Sequence, residues 1–293
     1  MGTRLSHFRS VQARNAYATA YSRTLSFAGV DVRERDVETS VARTHIVEAG
    51  EPGRPPIVLL HSFTFSSTVW VRNLAALSAE HYVVAIDEPG DSNLSVLNER
   101  IRSIEDYRPW FSEVLDAVGI AGATPVVGNS IGGWMGISLA VGLPDRITKL
   151  ALISPASLAR FGWGLFKTIP IGLVARTPPR KAAMLRHFLL PSALAGEDGE
   201  AWAEQYGLIA GFKPVMRSTP MIGRHRDETL RSIPVPVLLI EGEHEPLYDP
   251  RKAYERGRRL IPNVQAHLLD GVGHVSQMED PERVNGLLLD FLG

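Results

Sequence analysis

Short apolar runs, each closed by turn residues, set the terms on which this chain can fold. They are "PIVLLH" (Pro56–His61), "YVVAID" (Tyr82–Asp87), "TPVVGN" (Thr124–Asn129), "KLALIS" (Lys149–Ser154), "PVLLIE" (Pro236–Glu241) and "VQAHLLD" (Val264–Asp270). Most are continuously apolar, where a half-exposed strand would alternate. That pattern marks strands covered on both faces, which belong to mostly parallel sheets. Helix-like segments lie between them: "TVWVRNLAALSA" from Thr68, "SIEDYRPWFSEVLDAVGI" from Ser103, "IGGWMGISLAVGL" from Ile131 and "PERVNGLLLDFL" from Pro281. Ser103 fits an N-cap with acids in the following turn, and Pro281 fits the first helical position. Strand and helix alternate, so the expected class is α/β with a mostly parallel central sheet.

The interval 157–232 breaks this rhythm. It shows no strand pattern, is rich in Trp, Phe, Met, Pro and Gly, and holds helical pieces such as "RKAAMLRHFLL" and "AWAEQYGLIA". Long structureless insertions are uncommon and usually functional, so it reads as a mainly helical cap inserted between two strands. The core is then 1–156 plus 233–293. Its first 55 residues form an extension with a helix-like start and an edge strand, "THIVEAG".

Composition excludes several function classes. A net charge of −1 without a basic stripe argues against nucleic acid. The absence of cysteine rules out disulfides and thiolate metal sites. No stretch has the roughly 18 apolar residues of a membrane span, and the N-terminus has no signal-like apolar run. The reading is a cytoplasmic enzyme without cofactor, with a homodimer as an open possibility.

The chemistry starts at "VVGNSIGGWMG", where Gly128, Ser130 and Gly132 form G-x-S-x-G after an expected strand and before an expected helix. A serine at such a turn sits in a strained conformation, its neighbours must be small, and helix N–H groups lie beside its hydroxyl. Serine needs a base oriented by an acid. His274, in "LLDGVGHVSQMEDP", follows the last strand and so lies at the same sheet edge as Ser130. The acid should fall between them in sequence, in "EGEHEPLYDP". Glu245 is the choice and Asp249 the alternative, with Glu241, Glu243 and His244 solvated or bonded within the loop. The spacing suits neither a calcium loop nor a zinc site. The expected oxyanion donors are the N–H groups of Ile131 and of Phe63, in "LLHSFTFSS". Candidate substrate contacts are Asn129, Phe161 and Trp163. Phe166 and Trp202 are further cap aromatics, and any of the aromatics can equally be cap core.

Taken together, "THIVEAG", "LLHSFTFSSTVW", "AIDEPGDSNLS", "SIEDYRPW", "GNSIGGW", "ISPA", "LLIEGEHEPLYDP" and "GHVSQMEDPERVN" resemble an α/β-hydrolase. Within that superfamily they resemble the bacterial carboxylesterases of the carboxylesterase NP type, which cleave esters of bulky arylpropionic acids. The resemblance implies a Ser130–His274–Glu245 triad, supports Glu245 over Asp249, and implies a small-molecule ester substrate. One departure stands out: the usual His-Gly of the oxyanion loop is His61-Ser62, where a side chain restricts the backbone. Other enzymes on the same triad are the alternative: thioesterase, lactonase, C–C hydrolase, perhydrolase or tailoring enzyme. A catalytically weak receptor is a further one. Epoxide hydrolases and dehalogenases carry aspartate where Ser130 stands.

Overall fold

A computed structural model describes residues 7–162, 175–213 and 223–293. Its strands are β1 (Val32–Glu38), β2 (Ala42–Ala49), β3 (Pro56–Leu60), β4 (Tyr82–Ile86), the short β5 (Val96–Leu97), β6 (Thr124–Asn129), β7 (Ile147–Ile153), β8 (Val237–Gly242) and β9 (Val264–Leu269). They form one sheet in the order β1-β2-β4-β3-β6-β7-β8-β9, with β5 beside β2. The pairs β1–β2, β2–β4 and β2–β5 are antiparallel, and all pairs from β4 through β9 are parallel.

The continuous apolar runs are explained by the two faces they serve. Ile57, Leu59, Val83 and Ala85 point into one core, with Trp70, Leu74, Leu77, Val284 and Leu288. Val58, Leu60, Val84 and Ile86 point into the other, with Trp110, Phe111, Met135, Ile137 and Leu139. The helices covering these faces include α1 (Val11–Leu25), α2 (Leu74–Ser78), α3 (Tyr107–Ala117) and α4 (Ile131–Gly142). The segment from Thr68 is a short 3₁₀ turn, Ser67–Trp70, followed by the five-residue α2. Its β-branched Thr68, Val69 and Val71 disfavour one continuous helix.

The expectation that "THIVEAG" is an edge strand fails, because β1 lies outside it. β1 is "VRERDVE", with only Val37 buried, so it carries no apolar run to read. Charged residues are what an exposed edge requires.

Between β7 and β8 the described residues hold α5 (Pro178–Met184), α6 (Gly196–Gly207) and α7 (Asp227–Arg231). The Arg72 guanidinium fastens this interval to the body. It donates to the Asp198 carboxylate, to the carbonyls of Ser192 (2.8 Å) and Ala195 (2.6 Å), and to the carbonyl of Met278. The remaining helices are α8 (Pro250–Leu260), α9 (Ser276–Glu279) and α10 (Pro281–Leu292). No helix among the described residues is long and apolar enough to cross a membrane.

The chain passes from β3 outward to β4 and then back across β3 to β6. A crevice opens at such a reversal, beyond the carboxyl ends of the strands. Here the first turn of α4 lies directly against the end of β3. The Gly132 N–H donates to the His61 carbonyl at 3.0 Å. A Cβ on Gly132 would stand 2.4 Å from the Leu60 carbonyl oxygen, and one on Gly128 would stand 2.4 Å from the Gly132 backbone. Gly132→Ala is therefore expected to push α4 off the sheet and cost at least about 2 kcal/mol. A thermal melt should show the midpoint falling by roughly 4 °C or more.

Candidate active site

Ser130 occupies the single residue between the end of β6 and the start of α4. Its backbone is left-handed, with φ 55° and ψ −107°. A non-glycine residue there costs about 1–3 kcal/mol and persists only where its surroundings hold it. Three backbone bonds do so. The Ser130 N–H donates to Ile153 at 2.9 Å, and the Ser130 carbonyl accepts from Trp134 and Ala156, each at 3.0 Å.

His274 and Glu245 come from the loops after β9 and β8. The imidazole Nδ1 lies 2.6 Å from Glu245 Oε2, and both side chains are buried. Glu245 Oε1 accepts the Leu247 N–H at 2.9 Å, so the loop itself fixes the carboxylate. Burial lowers the His274 pKa, but the charge and hydrogen bond of Glu245, with the charge of Glu279, outweigh it and leave the value raised above 6.5. With Nδ1–H donated to Glu245, Nε2 is the lone-pair nitrogen.

The other acids of this stretch have separate duties. Asp249 caps α8, its side chain accepting the Lys252 N–H at 3.1 Å. Glu243 pairs with Arg251 at the surface. Glu241 is fully buried and accepts the Tyr248 hydroxyl at 3.0 Å, so it is bonded within the loop and not solvated.

The loop after β3 lies over the start of α4. The N–H groups of Phe63 and Ile131 have no hydrogen-bond partner among the described residues, whereas the Thr64 N–H is taken by Asp91 Oδ2 at 2.8 Å. Ser62 stands where glycine is usual, yet its backbone is not left-handed; Thr64 is the loop residue with positive φ, at 63°. The Ser62 hydroxyl donates to Asn129 Oδ1 at 2.9 Å, so the departure adds a tie. Beneath it, His61 Nδ1 faces the Ser62 carbonyl at 2.8 Å while Nε2 accepts the Glu88 N–H at 2.9 Å, which fixes a neutral tautomer. Burial lowers the His61 pKa accordingly.

Asn129 does not take the substrate-contact place expected of it. It is fully buried, and its amide is committed to Ser62, Gln277, Ile153 and His274. Two donors and two lone pairs exhaust an amide. Phe161 is half-buried and packs against the second core, and the next residue, Gly162, donates to the Leu247 carbonyl at 2.7 Å. Trp163 and Phe166 lie outside the described residues. Trp202 is buried, edge-on to Phe65 with ring centroids 4.9 Å apart, as a core residue would be. Phe63, by contrast, is 38% exposed. Gln277 and Asp91 are buried polar groups bonded to the loops of this site, and the sequence did not announce them. A buried polar side chain gives no periodic signal.

The alpha/beta hydrolase family matches residues 57–287. Carboxylesterase YbfK of Bacillus subtilis is 30% identical over 97% of this chain and 96% of its own length. The uncharacterized carboxylesterase nap of the same organism is 29% identical over 94% and 91%. The crystal structure of naproxen esterase (carboxylesterase NP) from Bacillus subtilis superposes with a TM-score of 0.88 at 28% identity. It covers 97% of this chain and all of its own, 100%.

The pairing of His274 with Glu245 is testable without any substrate. The His274 imidazole should titrate above 6.5 by NMR in the unaltered protein. In Glu245→Gln the opposing charge is gone, burial dominates, and the titration should move downward. Asp249→Ala should leave it in place and cost about 1 kcal/mol of stability as a lost helix cap.

Proposed function

The chain belongs to the alpha/beta hydrolase family, and from that premise we propose that it is a serine carboxylesterase acting through Ser130, His274 and Glu245. The observation that carries the reading is the His274–Glu245 bond of 2.6 Å, held at the same sheet edge as the strained Ser130 elbow. In this mechanism the His274 Nε2 takes the Ser130 hydroxyl proton as Oγ attacks the ester carbonyl. The N–H groups of Phe63 and Ile131 receive the negative charge that develops on the carbonyl oxygen. His274 then returns its proton to the departing alcohol, leaving an acyl group on Ser130. Water, activated by the same imidazole, attacks this acyl-enzyme and releases the acid. Glu245 holds the ring and stabilises its cation at each stage.

The proposed substrates are esters of apolar carboxylic acids, and the interval 157–232 is proposed as the cap over them. The exposed Phe63 and the half-buried Phe161 supply apolar surface. The likeness to a naproxen esterase at 28% identity supports the same class.

Fluorophosphonate labelling and p-nitrophenyl ester turnover test the reading. Wild type should label and turn over. Ser130→Ala should abolish labelling and lower kcat by about 10⁶, and Glu245→Gln should lower kcat by about 10⁴. Failure of wild type to do either overturns the proposal.

The pH profile follows from the sign of the His274 shift. The imidazolium cannot accept a proton, so kcat/KM should rise with pH through an apparent pKa above 6.5. An acid limb that does not move when Glu245 is changed to Gln would contradict the assignment of His274 as base.

A further inference from the structure

We infer that Asp91 is a positioning residue for the oxyanion loop, locking the Phe63–Thr64 peptide in an orientation that Thr64 alone would not keep. This rests on the reading of Phe63 as an oxyanion donor.

The Phe65 N–H donates to the Ser62 carbonyl at 3.0 Å, which closes a four-residue turn with Phe63 and Thr64 at its corners. Thr64 has φ 63° and Phe63 is not left-handed. That combination defines a type II turn, whose third position favours glycine. Here a β-branched threonine occupies it, among the residues least suited to positive φ. Rotating the Phe63–Thr64 peptide by half a turn would give a type I turn, in which Thr64 is relaxed. The present orientation therefore needs an external hold on the Thr64 N–H.

Asp91 supplies it. Its Oδ2 accepts the Thr64 N–H at 2.8 Å, while Oδ1 accepts the Ser92 N–H at 2.6 Å. The side chain is buried, with the residue 4% exposed, so water does not compete for it. The Thr64 hydroxyl has only a 3.5 Å contact with the Tyr206 hydroxyl, too long to replace this hold. Ser62 is pinned separately through Asn129 and His61. Loss of the Asp91 bond would therefore free the Phe63–Thr64 peptide to turn over, reversing its dipole beside the Phe63 N–H and loosening the turn that carries it, while Ser62 stays anchored.

The test is a double-mutant cycle on Asp91→Asn and Thr64→Gly, read by p-nitrophenyl butyrate kinetics, fluorophosphonate labelling rate and thermal melting. An asparagine offers one oxygen where two N–H groups need acceptors. D91N should lower kcat and the labelling rate roughly 10- to 100-fold, with KM within about twofold. T64G alone should stay within about threefold of wild type, because glycine adopts positive φ without help. Adding T64G to D91N should recover at least about tenfold in kcat, which a general loss of stability would not permit. Should D91N melt below the assay temperature, Asp91→Ser, which keeps one acceptor, takes its place with the same rescue expected. A folded Asp91 variant with wild-type kcat, or one that T64G fails to rescue, overturns this inference and leaves the esterase reading standing. A wild type that neither labels nor turns over overturns both.

Discussion

One amide side chain joins the loop after β3 to the loop after β9. Asn129 donates to the Ile153 carbonyl at the end of β7 and to the His274 carbonyl after β9, each at 3.0 Å. It accepts from Ser62 after β3 at 2.9 Å and from Gln277 in α9 at 3.1 Å. All of these groups are cut off from water, so each bond lost would leave an orphaned partner, at about 1–3 kcal/mol apiece. The residue beside the strained serine thus holds the loop after β3 on one side and the loop carrying His274 on the other. Gln277 extends the tie, because its carbonyl accepts from Asn73, whose amide also donates to Asn285 in α10.

That convergence is a consequence of topology. The parallel strands deliver their carboxyl ends to one rim, and the reversal at β3 and β6 opens that rim where two adjacent loops diverge. The glycines let α4 descend onto the gap. A further layer is assembled from distant parts of the chain, since the N-terminal α1 and the later α6 meet behind the loop after β3. Gln205 in α6 donates to the Tyr17 hydroxyl and to Ser66 Oγ, and Tyr17 donates to the Ser92 carbonyl beside Asp91. The extension before β3 is therefore a support for the loops over the sheet, and the charged β1 hairpin closes the sheet beyond it.

The alpha/beta fold was legible because its signals are local. Continuous apolar runs reported strands with two covered faces, and the strand found over Thr124–Asn129 coincides with its apolar run. The Ser130 elbow was legible for the same reason: its glycines and its flanking elements are adjacent in sequence. What sequence could not place depends on contacts across the chain. Asn129 looked available for substrate, yet partners 67, 145 and 148 residues away consume its amide. Ser62 looked like a restriction on the backbone, but the strain falls on Thr64 and the hydroxyl found a use. Strand β1 went unread because a charged edge has no apolar pattern.

Charge at the rim is organised by burial. Desolvation pushes Glu241 and Glu88 well above the usual carboxylate range, with neighbouring Glu245 adding to the effect on Glu241 and Asp91 and Asp87 to that on Glu88. Burial raises Glu279 also, and Asp91 reaches about 7, even though backbone N–H groups pull both of them down. Each is thereby held protonated to higher pH than a carboxyl in water would be. At His274 the upward pull on the ring comes first from one bonded carboxylate, Glu245, and then from the charge of Glu279. In the proposed mechanism that one bond orients the imidazole and stabilises its cation when a proton arrives.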